Sequence, residues 1–232
     1  MARMPRLVVP NYPHHVTQRG NRRQPTFFRP EDYSFYIFLL SEAMQEAGVD
    51  FWAYCLMPNH VHLVAVPEQE DSLANLFRSA HRQYSRHINR RENWQGHLWQ
   101  ERFHSFVMDD AHLISAVRYI ELNPVRAKLC RDPEAWRWSS VHAHMAGTDD
   151  KLISVQPMLD RVGNWSEYLN CRDDNDKLDA IRSHSRTGRP AGSGRFVEEL
   201  EQITGRQLRK RKPGRKANRG LRHRTVGQVQ IK

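Results

Sequence analysis

Two strand-like segments joined by a short turn constrain the fold of this chain more than any other feature. Residues 49–56 and 61–66 are rich in β-branched and aromatic side chains, and Met57-Pro58-Asn59 between them is a turn sequence. Amphipathic helical patterns at 30–47 and 72–91 flank this hairpin. Because both helices must bury an apolar face, the pattern predicts an α+β fold in which helices pack on a mainly antiparallel sheet.

The rest of the chain continues the alternation of strands and helices. Further strands are predicted at 14–19 and 103–108, and Asp109 or Asp110 caps a helix that runs to Leu122 and is ended by Pro124. Later segments are predicted to be a short helix after 136–140, a charged helix beyond residue 170, a Gly/Ser/Arg linker at 183–194 and a small helix at 195–204. This order divides the chain into a sheet domain at 1–135, a helical extension at 136–204 and a basic tail at 205–232.

Positive charge is concentrated in the tail. The formal net charge of the 232 residues is +10, yet 205–232 alone holds eleven Lys and Arg residues and no acid. The tail has few apolar residues, so we predict a flexible arm that binds a polyanion such as DNA. The alternatives are a purely solubilising tail, or docking of residues 205–216 as an ordered strand. The basic residues assigned to DNA here are Arg209, Lys210, Arg211 and Lys212.

Arginines also form a stripe within the body of the protein. Four of them recur every fourth residue of the predicted helix at 72–91, namely Arg78, Arg82, Arg86 and Arg90. Like charges at this spacing repel one another, and a row of phosphates would relieve the repulsion. A solvated helix face is the alternative interpretation. The first 30 residues carry six arginines and no acid, and Arg19 and Arg22 are the DNA-binding candidates among them.

Several classes of protein are excluded by composition. No apolar run approaches the roughly 20 residues that span a bilayer, and the first residues lack the apolar stretch of a signal peptide. The three cysteines, Cys55, Cys130 and Cys171, are widely spaced and form no C-x-x-C pair. We therefore expect neither a disulfide framework nor a cysteine zinc site, and we expect a cytoplasmic protein with no membrane partner.

His60-Val61-His62 opens the second strand of the hairpin. Side chains at i and i+2 of a strand point to the same face, so both imidazoles are placed where they can share one metal ion. Two histidines in an apolar strand must be either satisfied by hydrogen bonds or bound to something. By itself an H-x-H pair is a weak signal in a chain with 13 histidines.

A tyrosine and an asparagine provide the second candidate group. Tyr119 and Asn123 lie one turn apart near the end of the predicted helix, away from its apolar stripe. A core-edge aromatic and a helix-terminating Asn are the ordinary interpretations. Together with two imidazoles, however, they offer a nucleophile and three neutral metal ligands, which leave a divalent ion its full charge to polarise a phosphodiester.

These segments resemble a known family. MPNHVHLV at 57–64 and YIELNPVRA at 119–127 are similar to the single-tyrosine HUH transposases, in particular the REP-associated tyrosine transposases of bacteria. The likeness extends to HHVTQRGNRR, LWQERFHSFVMDD and WRWSS, and to TGRPAGSGRFVEELEQITGRQLRKRKPGRK, so that it reaches residue 216.

The resemblance implies a fold, a cofactor and a chemistry. The fold is a ferredoxin-like sheet, the HUH nuclease fold, with helices on one side. His60 and His62 would hold Mg²⁺ or Mn²⁺ together with Asn123, which stands where insertion-sequence relatives have the longer Gln. Tyr119 would attack a DNA phosphate, which leaves a 5′-phosphotyrosine and a free 3′-hydroxyl. The implied substrate is single-stranded DNA with REP-like palindromic hairpins, acted on at the nucleoid by a monomer or a homodimer.

Two other functions stay open at this point. One is a DNA-hairpin binding protein that keeps the fold without catalysis. The other is a metal hydrolase in which an H-x-H pair activates water. The hydrolase would need further acidic or His ligands, and no acid is suitably placed near residues 60–66.

Overall fold

The structure is a computed structural model that describes residues 6–171 and 175–209. Four strands carry the sheet: β1 (His14–Arg19), β2 (Val49–Met57), β3 (His60–Pro67) and β4 (His104–Val107). The helices, in chain order, are α1 (Pro30–Ala47), α2 (Ser72–Glu92), α3 (Asp110–Glu121), α4 (Asn123–Arg126), α5 (Val141–Ala146), α6 (Gln156–Leu159), α7 (Trp165–Asn170), α8 (Asn175–Thr187) and α9 (Gly194–Thr204). Short 3₁₀ turns occur at Asn21–Arg23 and Pro133–Ala135.

The four strands form one antiparallel sheet in the order β2-β3-β1-β4. With α1 between β1 and β2, and α2 between β3 and β4, this is the ferredoxin-like arrangement, so the predicted fold class is confirmed. The register places Arg19 opposite His60 and Thr17 opposite His62. The first residues of β3 therefore lie beside the last residues of β1, at one end of the sheet.

Helices α1 and α2 cover one face of the sheet. Their apolar side chains join Val16, Leu56 and Leu63 in the largest core cluster. Asp32 in the first turn of α1 is buried, accepts the backbone N–H groups of residues 28 and 29, and forms an ion pair with Arg91 near the end of α2. That pair fixes the two helices against each other at the end of the sheet where β3 begins.

The opposite face of the sheet is also covered by helices, which corrects the expectation of helices on one side only. Because side chains alternate along β2 and β3, a second group of apolar side chains lies on this face and must also be buried. Helix α3 packs here, and the chain beyond α5 adds side chains to the same cluster. The buried residues that meet across this layer include Ala53, Cys55, Val64, Phe106, Val117, Met158, Trp165 and Ile181.

Both edges of the sheet are paired with the C-terminal part of the chain. At the β2 edge, Leu56 N–H donates to Trp138 O at 2.8 Å and Ser140 N–H donates to Tyr54 O at 3.0 Å. At the β4 edge, Ala191 N–H donates to Val107 O at 2.8 Å. The prediction of a linker at 183–194 is therefore wrong, because α8 continues to residue 187 and the following segment binds the sheet edge. The division at residue 135 stays a prediction, although hydrogen bonds cross it.

The beginning of the tail lies on the body of the protein. Leu208 is 2% exposed and packs with Leu7, Val9, Phe196 and Leu200. The predicted flexible arm has an ordered start, and Lys210, Arg211 and Lys212 lie outside the described residues. Within the described part of the chain, no helix is both long enough and apolar enough to cross a membrane.

Candidate active site

His60, His62 and Tyr119 meet on the face of the sheet that α3 covers. The ring centroids of His60 and His62 are 4.9 Å apart, and those of His62 and Tyr119 are 5.7 Å apart. Strand alternation turns both histidines to this face, while α3 packs across it through Leu113 and Val117. The prediction that the two imidazoles lie on the same face of the sheet is confirmed. The structure also places Tyr119 beside His62.

The hydrogen bonds around His60 define which of its nitrogens is free. His60 Nδ1 lies 2.6 Å from Asn59 Oδ1, and Asn59 Nδ2 donates to Arg23 O at 2.9 Å, so the amide oxygen of Asn59 is the acceptor. Burial, and secondarily the charge of Arg19, lowers the pKa of His60 to about 4. A neutral ring that donates from Nδ1 has its lone pair on Nε2, the form that binds metals.

His62 is 6% exposed and lies deeper than His60. Burial lowers its pKa well below the ordinary value, and nearby His60, His15, Arg19 and Arg126 act in the same direction. Its Nδ1 atom lies 3.0 Å from His15 Nε2, within a hydrogen bond of a third buried imidazole. Both members of the H-x-H pair are thus neutral at physiological pH, as ligands for a divalent cation must be.

Three arginines surround Tyr119, and two of them were missed by sequence reasoning. The Arg126 guanidinium carbon lies 4.5 Å from the centre of the Tyr119 ring, and Arg126 donates to Tyr119 O. Arg182 of α8 has a raised pKa, first because of its hydrogen bond with Asp179 and also because of the charge of Tyr119 and a hydrogen bond with it. Arg19 has a pKa lowered by burial and by Arg23, an effect that the charge of Tyr119 opposes.

Asn123 is the third predicted ligand, and its amide is not committed elsewhere. It opens α4 directly after α3, and its Nδ2 atom is buried with no partner among the described residues. Amide O and N atoms are assigned from their partners, so an orphaned amide is free to present its oxygen. The described residues contain no group of three or more His, Cys, Asp or Glu that could hold a metal. The donor set of His60, His62 and Asn123 stays a prediction.

The remaining predicted DNA-binding residues lie in separate places. Arg22 sits on the exposed 3₁₀ turn beside the active site, with a left-handed φ of 54°. Arg78, Arg82, Arg86 and Arg90 are exposed on α2, which covers the other face of the sheet, and none of these four has a carboxylate partner in the described ranges, unlike Arg91. Arg209 forms ion pairs with Glu198 and, at 3.5 Å, with Glu201. Its role in DNA binding stays a prediction.

A groove runs beside the arginines of α2. Its volume is about 730 Å³, and it lies between α2 and the segment at 96–103 that leads into β4. Phe77, Trp99 and Phe103 form an aromatic floor, while Arg78 and Arg82 stand at its margin. Aromatic rings beside unpaired positive charge are typical of surfaces that bind single-stranded nucleic acid.

The match to known families agrees with this geometry. A family model described as "Transposase IS200 like" matches residues 8–123, half of the 232-residue chain, from the segment before β1 to Asn123. None of the curated proteins matches the chain.

Two solved structures match the chain. One is a REP-associated tyrosine transposase bound to a REP hairpin, with 20% identity and a TM-score of 0.55 over 66% of this chain and 92% of that one. The other is a putative transposase from Deinococcus radiodurans R1, with 20% identity and a TM-score of 0.37 over 52% of this chain and 96% of that one. The first of these likenesses supports the fold described above.

Proposed function

Because this chain belongs to the IS200-like transposase family, we propose that it nicks and rejoins single-stranded hairpin DNA through a covalent bond to Tyr119. The family makes it a DNA transposase. The observation that carries the finer proposal is the position of Tyr119 beside His62, with ring centroids 5.7 Å apart, where His62 in turn lies 4.9 Å from His60. A structural tyrosine would need neither the neutral histidine pair nor the cluster of arginines around it.

The reaction exchanges one phosphodiester bond for another. The Tyr119 hydroxyl oxygen attacks the phosphorus of the scissile phosphate and loses its proton, while the bond from phosphorus to the 3′-oxygen breaks and that oxygen takes up a proton. The products are a 5′-phosphotyrosine and a free 3′-hydroxyl. Attack of a 3′-hydroxyl on the phosphotyrosine reverses these steps, so rejoining needs no nucleotide cofactor.

The arginines around Tyr119 provide fixed positive charge where negative charge develops. A free tyrosine has a pKa of about 10 and is a poor nucleophile at neutral pH. Arg182 forms a hydrogen bond with Tyr119 and so holds a positive charge beside that side chain. Arg126 lies over the ring, and Arg19 faces the site from the end of β1. Charges held in place before the reaction stabilise the transition state without reorganisation.

The residues that would hold a divalent cation are His60 and His62 through Nε2 and Asn123 through its amide oxygen. Mg²⁺ or Mn²⁺ bound there would stabilise charge on the non-bridging phosphate oxygens, an effect of several kcal/mol. Asn59 and His15 hold the two imidazoles in orientation.

DNA as the partner is supported by charge and by the fold neighbour. The neighbour with a TM-score of 0.55 is bound to a REP hairpin, and we propose the same class of substrate for this chain. The arginines of α2 and those of the tail would contact phosphates, which supply affinity and not base recognition. The groove along α2 would accept an unpaired part of the strand.

A labelled single-stranded hairpin tests the proposal. The native protein is expected to form an adduct that survives denaturing electrophoresis, and EDTA is expected to abolish it. Tyr119→Phe removes one oxygen, so it should bind the hairpin with unchanged affinity and form no adduct. Binding without any adduct in the native protein would instead favour a hairpin-binding protein without catalysis, and release of cut DNA without an adduct would favour hydrolysis by water.

A further inference from the structure

His15 is a fully buried histidine that contacts both His62 and the nucleophile. It lies on β1 on the same face of the sheet as His62, and its Nε2 atom is 3.0 Å from His62 Nδ1. Its ring is 5.1 Å from that of Phe106 and 6.3 Å from that of Tyr119, measured between centroids. Its other nitrogen, Nδ1, is buried with no hydrogen-bond partner in the described part of the chain.

The adjacent histidine of the same strand shows the contrast. His14 points to the opposite face, where its Nε2 accepts from Val9 N–H at 3.1 Å and its Nδ1 donates to Tyr12 O at 2.7 Å. Both nitrogens of His14 are used, as expected for a histidine with a structural role. His15 leaves one nitrogen buried and unsatisfied, which is unfavourable for folding. A phenylalanine would fill the same space beside Phe106 without that cost.

The hydrogen bond between His15 and His62 has two possible arrangements. Both rings are buried and neutral, so each carries one N–H. When His62 Nδ1–H donates to His15 Nε2, the lone pair of His62 is on Nε2. When His15 Nε2–H donates instead, the proton of His62 sits on Nε2 and blocks it as a ligand. Only the first arrangement allows His62 to bind a cation together with His60.

We propose that His15 is a positioning residue that accepts the Nδ1 proton of His62, and so presents the Nε2 lone pair of His62 to a divalent cation. This inference rests on the cation site of the proposed function. His15 thus has the same role for His62 that Asn59 has for His60, because the Asn59 amide oxygen accepts the Nδ1 proton of His60. Each metal-binding histidine thus has its own acceptor, and loss of such an acceptor typically weakens metal binding by about tenfold to a hundredfold.

Three variants of the full chain separate this role from simple packing. His15→Phe keeps a ring of similar size and removes the acceptor. His15→Gln places an amide near the position of Nε2 and keeps an acceptor. His14→Phe is the matched control, because it changes a buried histidine of the same strand on the other face. Mn²⁺ affinity is measured by electron paramagnetic resonance titration without DNA, so that catalysis plays no part in the readout.

We expect His15→Phe to bind Mn²⁺ about tenfold to a hundredfold more weakly than the native protein, His15→Gln to recover most of this loss, and His14→Phe to bind with native affinity. Thermal unfolding should show that His15→Phe is at least as stable as the native protein, which a purely structural role would not allow. Nitrogen-15 shifts of the His62 ring in the Mg²⁺-loaded native protein should show a protonated Nδ1, a measurement that needs no variant.

The outcomes distinguish this inference from the proposed function. If His60→Ala loses Mn²⁺ binding and His15→Phe retains native affinity, the cation site stands and the role of His15 is overturned. A protonated Nε2 on His62 in the loaded protein overturns it equally. If native protein and His60→Ala bind Mn²⁺ equally weakly, the cation site itself is wrong, and the proposed function loses its cofactor together with this inference.

Discussion

Replacing Glu121 tests how far the nucleophile depends on a buried polar cluster behind it. Glu121 lies two residues after Tyr119 on α3, and its carboxylate is fully buried. Oε1 accepts hydrogen bonds from Ser140 Oγ at 2.6 Å and from His144 Nδ1 at 2.7 Å, and Oε2 accepts from Trp165 Nε1 at 2.9 Å. The cluster therefore ties the end of the nucleophile helix to α5 and α7.

The cost of Glu121→Gln follows from the hydrogen-bond geometry. The amide satisfies Ser140 and His144 when its oxygen replaces Oε1, but its NH₂ group then faces the N–H of Trp165. Two buried donors that face each other are both left unpaired, which costs about 2–3 kcal/mol. Glu121→Ala leaves three donors unpaired and adds a cavity, so the expected loss is about 3–5 kcal/mol. Each kcal/mol lowers the melting temperature of a chain of this size by about 2–4 °C.

A double-mutant cycle with Trp165→Phe makes this reasoning testable by chemical denaturation. The second substitution removes the donor that opposes the glutamine amide, so the two changes together should cost less than their sum by about 1–2 kcal/mol. Adduct formation by Glu121→Gln in a single turnover should slow by about tenfold to a hundredfold, because a loosened α3 misplaces Tyr119. Strictly additive effects, or a Glu121→Gln protein as stable as the native one, would refute the role of the cluster.

Three further predictions concern metal, charge and pH. His60→Ala or His62→Ala should abolish cleavage at any practical Mg²⁺ or Mn²⁺ concentration. Asn123→Ala should reduce cleavage less, and excess metal should partly restore it. Cleavage by the native protein in EDTA would contradict the metal requirement. Changing Arg78, Arg82, Arg86 and Arg90 to Gln should reduce the magnitude of the slope of log affinity against log salt by roughly 3–4, while the control variant Lys151→Gln, at an exposed residue, leaves it nearly unchanged. Burial lowers the pKa of His14 to about 4. Between pH 6.5 and pH 4 this histidine is therefore protonated in the unfolded chain but largely neutral in the folded one. Because of this residue, the free energy of unfolding should fall by up to about 3 kcal/mol as the pH drops from 6.5 to 4. Denaturation of His14→Phe at several pH values should lack that share of the fall.

Local sequence patterns predict most of the strands and helices, and they mark His60, His62 and Tyr119 as candidate site residues. Segments 14–19 and 30–47 coincide with β1 and α1, because β-branched alternation and a Pro-led amphipathic pattern are local signals. The shared face of His60 and His62 follows from the two-residue period of a strand. Tyr119 was placed on its helix but not against the histidines, since helix periodicity carries no information on what the helix packs against.

The groups that surround the nucleophile depend on long-range contacts. Arg126 follows Tyr119 by only seven residues but lies in α4, beyond the end of α3, so the helical period of α3 does not predict its contact with Tyr119. Arg182 comes from a helix 63 positions later, and only the packing of α8 on α3 brings it to Tyr119. His15 meets His62 through the register of β1 and β3, which no single-sequence pattern fixes. The linker prediction failed for a similar reason, since Gly and Ser residues suit a coil and also suit a segment that docks on a sheet edge.

The residues beyond 135 complete the body of the protein, because they supply what a four-stranded sheet lacks. An isolated sheet of this kind exposes the backbone of β2 and β4 as two unpaired edges. Residues 138–140 and Ala191 pair with those edges, while α8 brings Arg182 to Tyr119. The family match ends at Asn123, so all of these contributions lie beyond it. A chain cut after residue 135 would keep every residue that the resemblance assigns to chemistry, and would lose Ser140, His144 and Trp165, which hold Glu121 and with it the nucleophile helix.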